Sequence, residues 1–208
     1  MKLSFGFGNG VQEVELPSRN LIVELHANDV PIGLRGEAEV VRALRDPIGS
    51  QRLRDIVRPG ETVAIVTSDL TRPMPTALVM PALLDELYAG GVRPEDITLV
   101  FALGCHRPQT EAERKKLAGE RAFREIRCVD SDPTDCISYG STSRGTPVDI
   151  TRAVAEADRR ICLGNIEYHY FAGYSGGAKA IIICNPSNPS GKVFTYDDNG
   201  NLLFIFGD

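Results

Sequence analysis

Short β-branched apolar runs alternate along the chain with segments whose apolar residues recur every three or four positions. The runs are "ETVAIVTSD" at 61–69, "DITLVFALG" at 96–104 and "RRICLGNI" at 159–166. Amphipathic helical patterns follow the first two, as "PTALVMPALLDELYAGG" and "TEAERKKLAG". Buried strands alternating with helices are typical of βαβ units. The pattern predicts an α/β fold with a mostly parallel sheet flanked by helices.

The rest of the chain predicts smaller elements. Short apolar runs broken by Gly and Pro open the chain and indicate strands and loops, and "GEAEVVRALRDPIG" predicts a helix that stops at Asp46, before a proline. "CISYGSTSRGTPVDI" predicts a hairpin insertion with a glycine turn, and "VFTYDDNGNLLFIF" a second hairpin around "DNGN". We therefore assign residues 1–182 to the α/β domain and 183–208 to a divergent tail with a β-hairpin.

Composition narrows the class of partner. The chain has 208 residues, 42% of them hydrophobic and 25% charged, which is ordinary for a soluble globular protein. The formal net charge is −5 and no basic stripe stands out, so a nucleic acid is not expected as a partner. An anionic ligand would have to be held by a few local cations.

Cysteine usage and hydropathy indicate a cytoplasmic protein without a membrane partner. The five cysteines are odd in number and never spaced as C-x-x-C, which favours reduced thiols over disulfides or a zinc site. The amino terminus "MKLSFGFGNG" lacks the apolar run of a signal peptide, and no segment has about 18 uninterrupted apolar residues.

Three polar clusters follow the three predicted strands: "SDLTRP", "GCHRPQT" and "NIEYHY". Right-handed crossovers bring the carboxyl ends of parallel strands to the same edge of a sheet, where open α/β folds bind ligands. We therefore expect the three clusters to converge on one site.

The first cluster allows two interpretations. Ser68, Asp69 and Thr71 have side chains that cap the free N–H groups of a helix start, which leaves Arg72 as a surface residue. Alternatively, the same helix start binds a phosphate, with the fork-shaped guanidinium of Arg72 as its partner.

The second and third clusters carry two of the chain's three histidines, His106 and His169. Thr110 and Glu113 have the spacing of a capping box, which does not require His106 or Arg107. The third histidine, His26, lies in a Gly/Pro/Asn-rich segment and is interpreted as incidental.

Lys179 follows the glycines of "AGYSGGAKA", where the backbone permits close approach of a ligand. The segment fails the P-loop pattern, because Ala178 separates the glycine from the lysine and Ala180 replaces the hydroxyl residue. A lysine among small apolar residues loses hydration, which favours a neutral, nucleophilic amine. The alternative is a lysine whose amine extends to solvent.

In this order and at these separations, "SDLTRPMP", "GCHRPQTEAE" and "EYHYFAGYSGGAKAI" resemble the amino-terminal half of the nickel-dependent lactate racemase family. The resemblance extends to about Ile181 and implies a Rossmann-like domain. It implies that Asp69, Leu70, Thr71 and Arg72 bind a nickel-pincer nucleotide, a pyridinium mononucleotide whose sulfur-bearing arms hold nickel. Lys179 matches the lysine joined to that cofactor.

The resemblance also implies an isomerase that racemises or epimerises a small 2-hydroxy acid by reversible hydride transfer. His106 and His169 match the paired catalytic histidines, which exchange the hydroxyl proton on the two faces of the substrate. Imidazole suits this task because it titrates near neutrality. Arg107 is a candidate for assisting the substrate carboxylate.

The chain departs from the family pattern after Lys179. It has no histidine beyond His169, so the histidine that ligates nickel in the family has no counterpart and no metal ligand is assigned. The family's second domain is a further expected partner, and an amino-terminal half without it is the form predicted here. The alternatives are a nucleotide-binding fragment without turnover, and a pyridoxal-phosphate enzyme, since "NPSNPSGK" resembles an aminotransferase loop that we interpret as a linker.

Overall fold

The computed structural model of the protein describes residues 1–23, 31–72, 74–169 and 173–176, the strands at 166–169 and 173–176 by their backbone alone. The chain divides into two compact units, Met1–Gly33 and Leu34–Asp208. The predicted boundary at 182/183 and the tail hairpin lie outside the described residues, and the domain assignment stays a prediction.

The elements follow one another in the order that the apolar pattern predicts, with a few additions. The strands are β1 Lys2–Phe7, β2 Gly10–Glu15, β3 Val63–Ser68, β4 Ile97–Ala102, β5 Arg127–Asp130, β6 Cys136–Ser141, β7 Pro147–Thr151, β8 Arg159–Cys162, β9 Ile166–His169 and β10 Gly173–Gly176. The helices are α1 Glu37–Arg45, α2 Leu53–Ile56, α3 Thr76–Ala89, α4 Glu111–Ala118, α5 Glu120–Glu125 and α6 Arg152–Ala155, with short 3-10 turns at Ser18–Asn20 and Pro94–Asp96.

The first unit contains the β1–β2 hairpin. The two strands pair antiparallel, with Phe7 opposite Gly10 beside the turn, and the terminal amine of Met1 donates to the carbonyl of Leu16. Gly8 has φ +57°, a conformation that costs glycine little and other residues more. The prediction of strands and loops at the start of the chain is confirmed.

The second unit is built on a parallel sheet with the strand order β5-β4-β3-β8. Val63 of β3 pairs with Ile97 of β4 on one side and with Arg159 of β8 on the other, and Thr98 of β4 pairs with Arg127 of β5. Both β3 and β4 therefore lie in the interior of the sheet. Such strands are buried on both faces, and five of the six residues of β3 are buried. The predicted α/β class with a mostly parallel sheet is confirmed.

The two faces of the sheet have different covers. Odd-numbered residues such as Ile65, Leu99 and Phe101 pack with the apolar residues of α3 and with parts of α1, α2, α4 and α5. Even-numbered residues such as Ala64 and Val100 pack with α6 and the β6–β7 hairpin. The predicted insertion at 136–150 is this hairpin, and it covers one face of the sheet.

Local signals account for where the helices begin and end. Asp46 is the C-cap of α1, as predicted, and Thr110 and Glu113 form the predicted capping box of α4. The start of α3 differs from the prediction. Its N-cap is Pro75 and has no side-chain hydrogen bond, so the interpretation that Ser68, Asp69 and Thr71 cap this helix is wrong.

Several short elements of the second unit were not predicted, and β5 and α5 are the two that belong to the sheet and its helical cover. β5 is a four-residue edge strand in which no residue is fully buried, so it lacks the apolar run that revealed the other strands of the sheet. α5 follows α4 after the single residue Gly119, whose φ of +82° separates the two helices. β5 therefore lacks a buried apolar run, and the one-residue break leaves no loop segment between α4 and α5 by which two helices could be predicted.

Candidate functional site

The predicted site lies at the carboxyl edge of the parallel sheet. Ser68 ends β3 beside Ala102, which ends β4, so the loops carrying Asp69 and His106 leave the sheet side by side. α3 packs on one face of the sheet and α6 on the other, which places a change of crossover direction between β3 and β8. Ligands of open α/β sheets bind at this kind of position.

Asp69 and His106 are in direct contact. The Nδ1 atom of His106 lies 2.5 Å from Oδ2 of Asp69. The carboxylate side chain is only 4% exposed, whereas the imidazole is 47% exposed. A buried acid therefore holds one nitrogen of a ring that is about half exposed. Two residues that the sequence assigned to different roles form a single pair.

The contact determines which nitrogen of the imidazole is available for chemistry. An ionised carboxylate only accepts hydrogen bonds, so Nδ1 is the nitrogen that donates, and in the neutral ring Nε2 is left with its lone pair. A carboxylate in this position also stabilises the imidazolium that forms when Nε2 takes a proton. The pair has the arrangement of a general base.

A tight turn holds Asp69 in place. Its Oδ1 atom accepts hydrogen bonds from the backbone N–H of Thr71 at 3.1 Å and from the Thr71 hydroxyl at 2.7 Å. Asp69 thus closes its own loop with one oxygen and holds His106 with the other. This second role was not predicted, although a carboxylate and a histidine that follow neighbouring parallel strands are a signal for it.

Two arginines near the pair differ in their partners. Arg107 makes a two-pronged ion pair with Glu113, at 2.7 and 2.9 Å, and its guanidinium lowers the pKa of Glu113 to about 2. Arg72 is exposed and has no carboxylate partner among the described residues. The guanidinium available to an anionic ligand is therefore that of Arg72, whereas Arg107 already has a carboxylate.

The third cluster is described by its backbone. β9 begins four residues after the end of β8 and pairs antiparallel with β10, so that His169 lies opposite Gly173. The side chain of His169 and the whole of Lys179, like His26, lie outside the described residues. The structure thus brings together Asp69 and His106, while the convergence of His169 and Lys179 on them stays a prediction.

The described thiols do not compete with the imidazole as bases or nucleophiles inside the sheet. The two cysteines in the strands of the parallel sheet, Cys128 and Cys162, are free thiols. Burial raises the pKa of Cys162, at the end of β8, to about 12, and that of Cys128 to about 11. Both are protonated at neutral pH and behave as small apolar residues.

Neither a metal cluster nor a membrane helix is found where the structure describes the chain. No three His, Cys, Asp or Glu side chains among these residues are arranged to hold a metal ion. None of the helices described combines the length and apolar character that a membrane crossing requires.

Comparisons with known proteins agree with one another. The family model of the lactate racemase N-terminal domain matches residues 7–189. A lactate racemase from Thermoanaerobacterium thermosaccharolyticum is 32% identical over 181 residues, which cover 85% of this chain and 42% of the relative. A lactate racemase from Lactiplantibacillus plantarum is 33% identical over 174 residues, covering 82% and 40%. The chain thus spans 40–42% of the length of these relatives.

Solved structures give the same result for the fold. The lactate racemase apoprotein from Thermoanaerobacterium thermosaccharolyticum matches with a TM-score of 0.73 at 30% identity, over 86% of this chain and 42% of that protein. A Thermotoga maritima protein matches with a TM-score of 0.55 at 20% identity, over 71% and 37%, and shows a shared fold alone.

Proposed function

The chain belongs to the lactate racemase family through its N-terminal domain, and from this membership we propose that it is the proton-transferring, nucleotide-binding part of a racemase or epimerase of 2-hydroxy acids. The observation that carries the proposal is the Asp69–His106 pair, in which a buried carboxylate orients an exposed imidazole. An isomerase of this kind needs a base that returns the proton it takes, and a carboxylate-held imidazole at neutral pH has that property.

The role of His106 follows from its geometry. Its Nε2 atom takes the hydroxyl proton of the bound acid as the neighbouring C–H bond breaks, which converts the hydroxyl carbon to a planar carbonyl. The Asp69 carboxylate stabilises the imidazolium formed in that step. When hydrogen returns to carbon, Nε2 gives the proton back to oxygen. We assign the equivalent role on the opposite face of the carbonyl carbon to His169.

The described residues fit the nucleotide that the family resemblance implies. Arg72 presents an exposed guanidinium beside the carboxyl end of β3, and a guanidinium binds phosphate through two parallel N–H donors. We assign the phosphate of a nickel-pincer nucleotide to Arg72 and the covalent attachment of that nucleotide, as a thioamide, to Lys179. When bound, this cofactor supplies the hydride acceptor, a chemistry that amino-acid side chains lack.

Arg72→Ala is expected to weaken binding of a pyridine mononucleotide by about 10- to 100-fold, since hydrogen bonds to charged groups contribute about 1.5–3 kcal/mol. Calorimetric titration measures the affinity. Arg107→Ala is the matched control, because that guanidinium pairs with Glu113, and it is expected to change the affinity less than about twofold. Equal losses in the two variants would contradict the assignment of the phosphate to Arg72.

The proposed function is tested by supplying the chain with the pincer nucleotide and nickel, then following interconversion of the two enantiomers of a 2-hydroxy acid by chiral chromatography. Intact mass spectrometry reports the adduct at Lys179. Adduct and interconversion together support the proposal. An adduct without interconversion identifies the chain as a nucleotide-binding module without turnover, and the absence of both, where a full-length relative shows both, rejects the proposal.

A further inference from the structure

Gln109 connects the two loops that carry the Asp69–His106 pair. It lies in the loop between β4 and α4, three residues after His106, and is only 4% exposed. Its Oε1 atom accepts a hydrogen bond from the backbone N–H of Leu70 at 3.2 Å. A buried side chain of the His106 loop is therefore bonded to the residue that follows Asp69.

Asp130, the last residue of β5, fixes the orientation of this amide. Its Oδ1 atom accepts from Nε2 of Gln109 and its Oδ2 atom from the backbone N–H of Gln109, both at 2.8 Å. The carboxylate accepts only, so the amide nitrogen must face Asp130 and the amide oxygen must face Leu70. The glutamine side chain is long enough to place its N–H donor at Asp130 and its oxygen acceptor at the Leu70 N–H, and both groups are hydrogen-bonded.

The charge of Asp130 has a local partner as well. Nη1 of Arg114, on α4, lies 3.3 Å from Oδ2 of Asp130 and 3.0 Å from the backbone oxygen of Gln109. The network therefore joins the carboxyl ends of three adjacent strands and the first turn of α4. A buried polar group holds one arrangement of its neighbours when its hydrogen bonds are made, as those of the Gln109 amide and of both Asp130 oxygens are.

We propose that Gln109 is a positioning residue, which holds the turn after β3 so that the Asp69 carboxylate meets Nδ1 of His106. Gln109 makes no hydrogen bond to Asp69 or His106. It accepts from the backbone N–H of Leu70, the residue after Asp69, and donates to Asp130. The consequence for catalysis rests on the proposed function, whereas the consequence for His106 does not. The two are separated by measuring the imidazole itself.

The measurement is the proton position on His106 in the 208-residue chain at about pH 8, where histidine side chains are ordinarily neutral. Long-range proton–nitrogen NMR spectra distinguish Nδ1–H from Nε2–H, and a His106→Gln spectrum assigns the signal. The wild-type chain is expected to show the Nδ1–H form. Wild-type spectra with the proton on Nε2 would contradict the hydrogen bond from Nδ1 of His106 to Asp69, and the positioning role of Gln109 with it.

Gln109→Met keeps the length of the side chain and loses both hydrogen bonds, and Gln109→Asn is too short to reach Leu70 and Asp130 together. Each is expected to reduce the Nδ1–H population of His106 at least about twofold, because a turn released on one side samples other geometries. Circular dichroism establishes that the variants are folded. Gln51→Glu changes an exposed glutamine and is expected to leave the spectrum unchanged.

The double variant Gln109→Glu with Asp130→Asn exchanges donor and acceptor across the contact. The amide introduced on β5 then donates to the carboxylate introduced in the His106 loop, and this carboxylate still accepts from the Leu70 N–H. We therefore expect the Nδ1–H form to return. Folded Met and Asn variants of Gln109 with wild-type spectra, or a double variant without recovery, would overturn the positioning role and leave the proposed function untouched.

The rate of racemisation is the second measurement that tests the positioning role. If the chain racemises, Gln109→Met is expected to lower kcat by about 10²-fold with little change in KM, since misplacement of a catalytic group by about 1 Å has effects of this size. A changed spectrum in a chain that shows no racemisation would support the positioning role while rejecting the proposed function. An unchanged kcat in a racemising Met variant would overturn the positioning role.

Discussion

Asp69→Asn is expected to lower kcat for racemisation by about 10³- to 10⁴-fold, because it reverses the proton position on His106. The Oδ1 atom of Asp69 accepts from both the N–H and the hydroxyl of Thr71. The asparagine oxygen keeps that place, since an N–H only donates, and the amide nitrogen then faces Nδ1 of His106. Facing a donor, Nδ1 becomes the acceptor, Nε2 carries the hydrogen, and the base is lost.

The chain contains a matched control for this variant. Asp132 forms the same turn with Thr134, whose N–H and hydroxyl donate to its Oδ1 atom at 2.8 and 2.7 Å, and the Thr134 hydroxyl lowers the pKa of Asp132. No histidine contact is described for it. Asp132→Asn is therefore expected to leave kcat within about twofold, as surface substitutions have small effects. Chiral chromatography gives kcat, and the NMR measurement on His106 gives the tautomer. A fully active Asp69→Asn chain would contradict the assignment of His106 as base.

The interior strands of the parallel sheet were predicted and β5 was missed, and this difference has a physical cause. β3 and β4 lie in the interior of the sheet, where both faces exclude water, and their sequences are accordingly continuous apolar runs. β5 is an edge strand that pairs with β4 alone and is partly exposed along its length. Burial restricts a position to apolar residues, whereas hydrogen bonding at a sheet edge places few constraints on residue type.

The site shows a similar division. The sequence placed Asp69 and His106 at one sheet edge because parallel topology aligns strand ends. It did not show that the two side chains touch, because that contact depends on register, Ser68 beside Ala102, which the apolar pattern does not specify. The sequence therefore predicted that these residues lie near one another. Their individual roles became clear only from the distances between their side-chain atoms.

Gln109 and Arg107 show why single residue types mislead in loops. Arg107 stood out as a cation beside a histidine, yet its guanidinium pairs with the capping-box residue Glu113. No role was predicted for Gln109, which lies in a loop of polar residues, yet it is buried and hydrogen-bonded to Leu70 and Asp130. Partners up to 39 positions away along the chain determine both roles.

Phe101→Ala is expected to reduce the free energy of unfolding by about 3–5 kcal/mol, measured by urea denaturation. Phe101 is completely buried in the apolar core on the α3 side of the sheet. Truncation leaves a cavity that surrounding strands and helices fill only in part, and such a loss is a large share of the roughly 5–15 kcal/mol that stabilises a domain. Phe101→Leu, which keeps most of the volume, is expected to cost less than about 1.5 kcal/mol.

Phe7→Ala is the matched exposed control, because that ring is 68% exposed, and it is expected to change stability by no more than about 0.5 kcal/mol. The comparison bears on the site as well as on the core. Phe101 precedes the last residue of β4, and its carbonyl accepts from the N–H of Ser131 at 2.8 Å. Equal losses of unfolding free energy in the Phe7→Ala and Phe101→Ala variants would contradict the position of β4 in the sheet interior. They would equally contradict the position of the His106 loop beside Asp69.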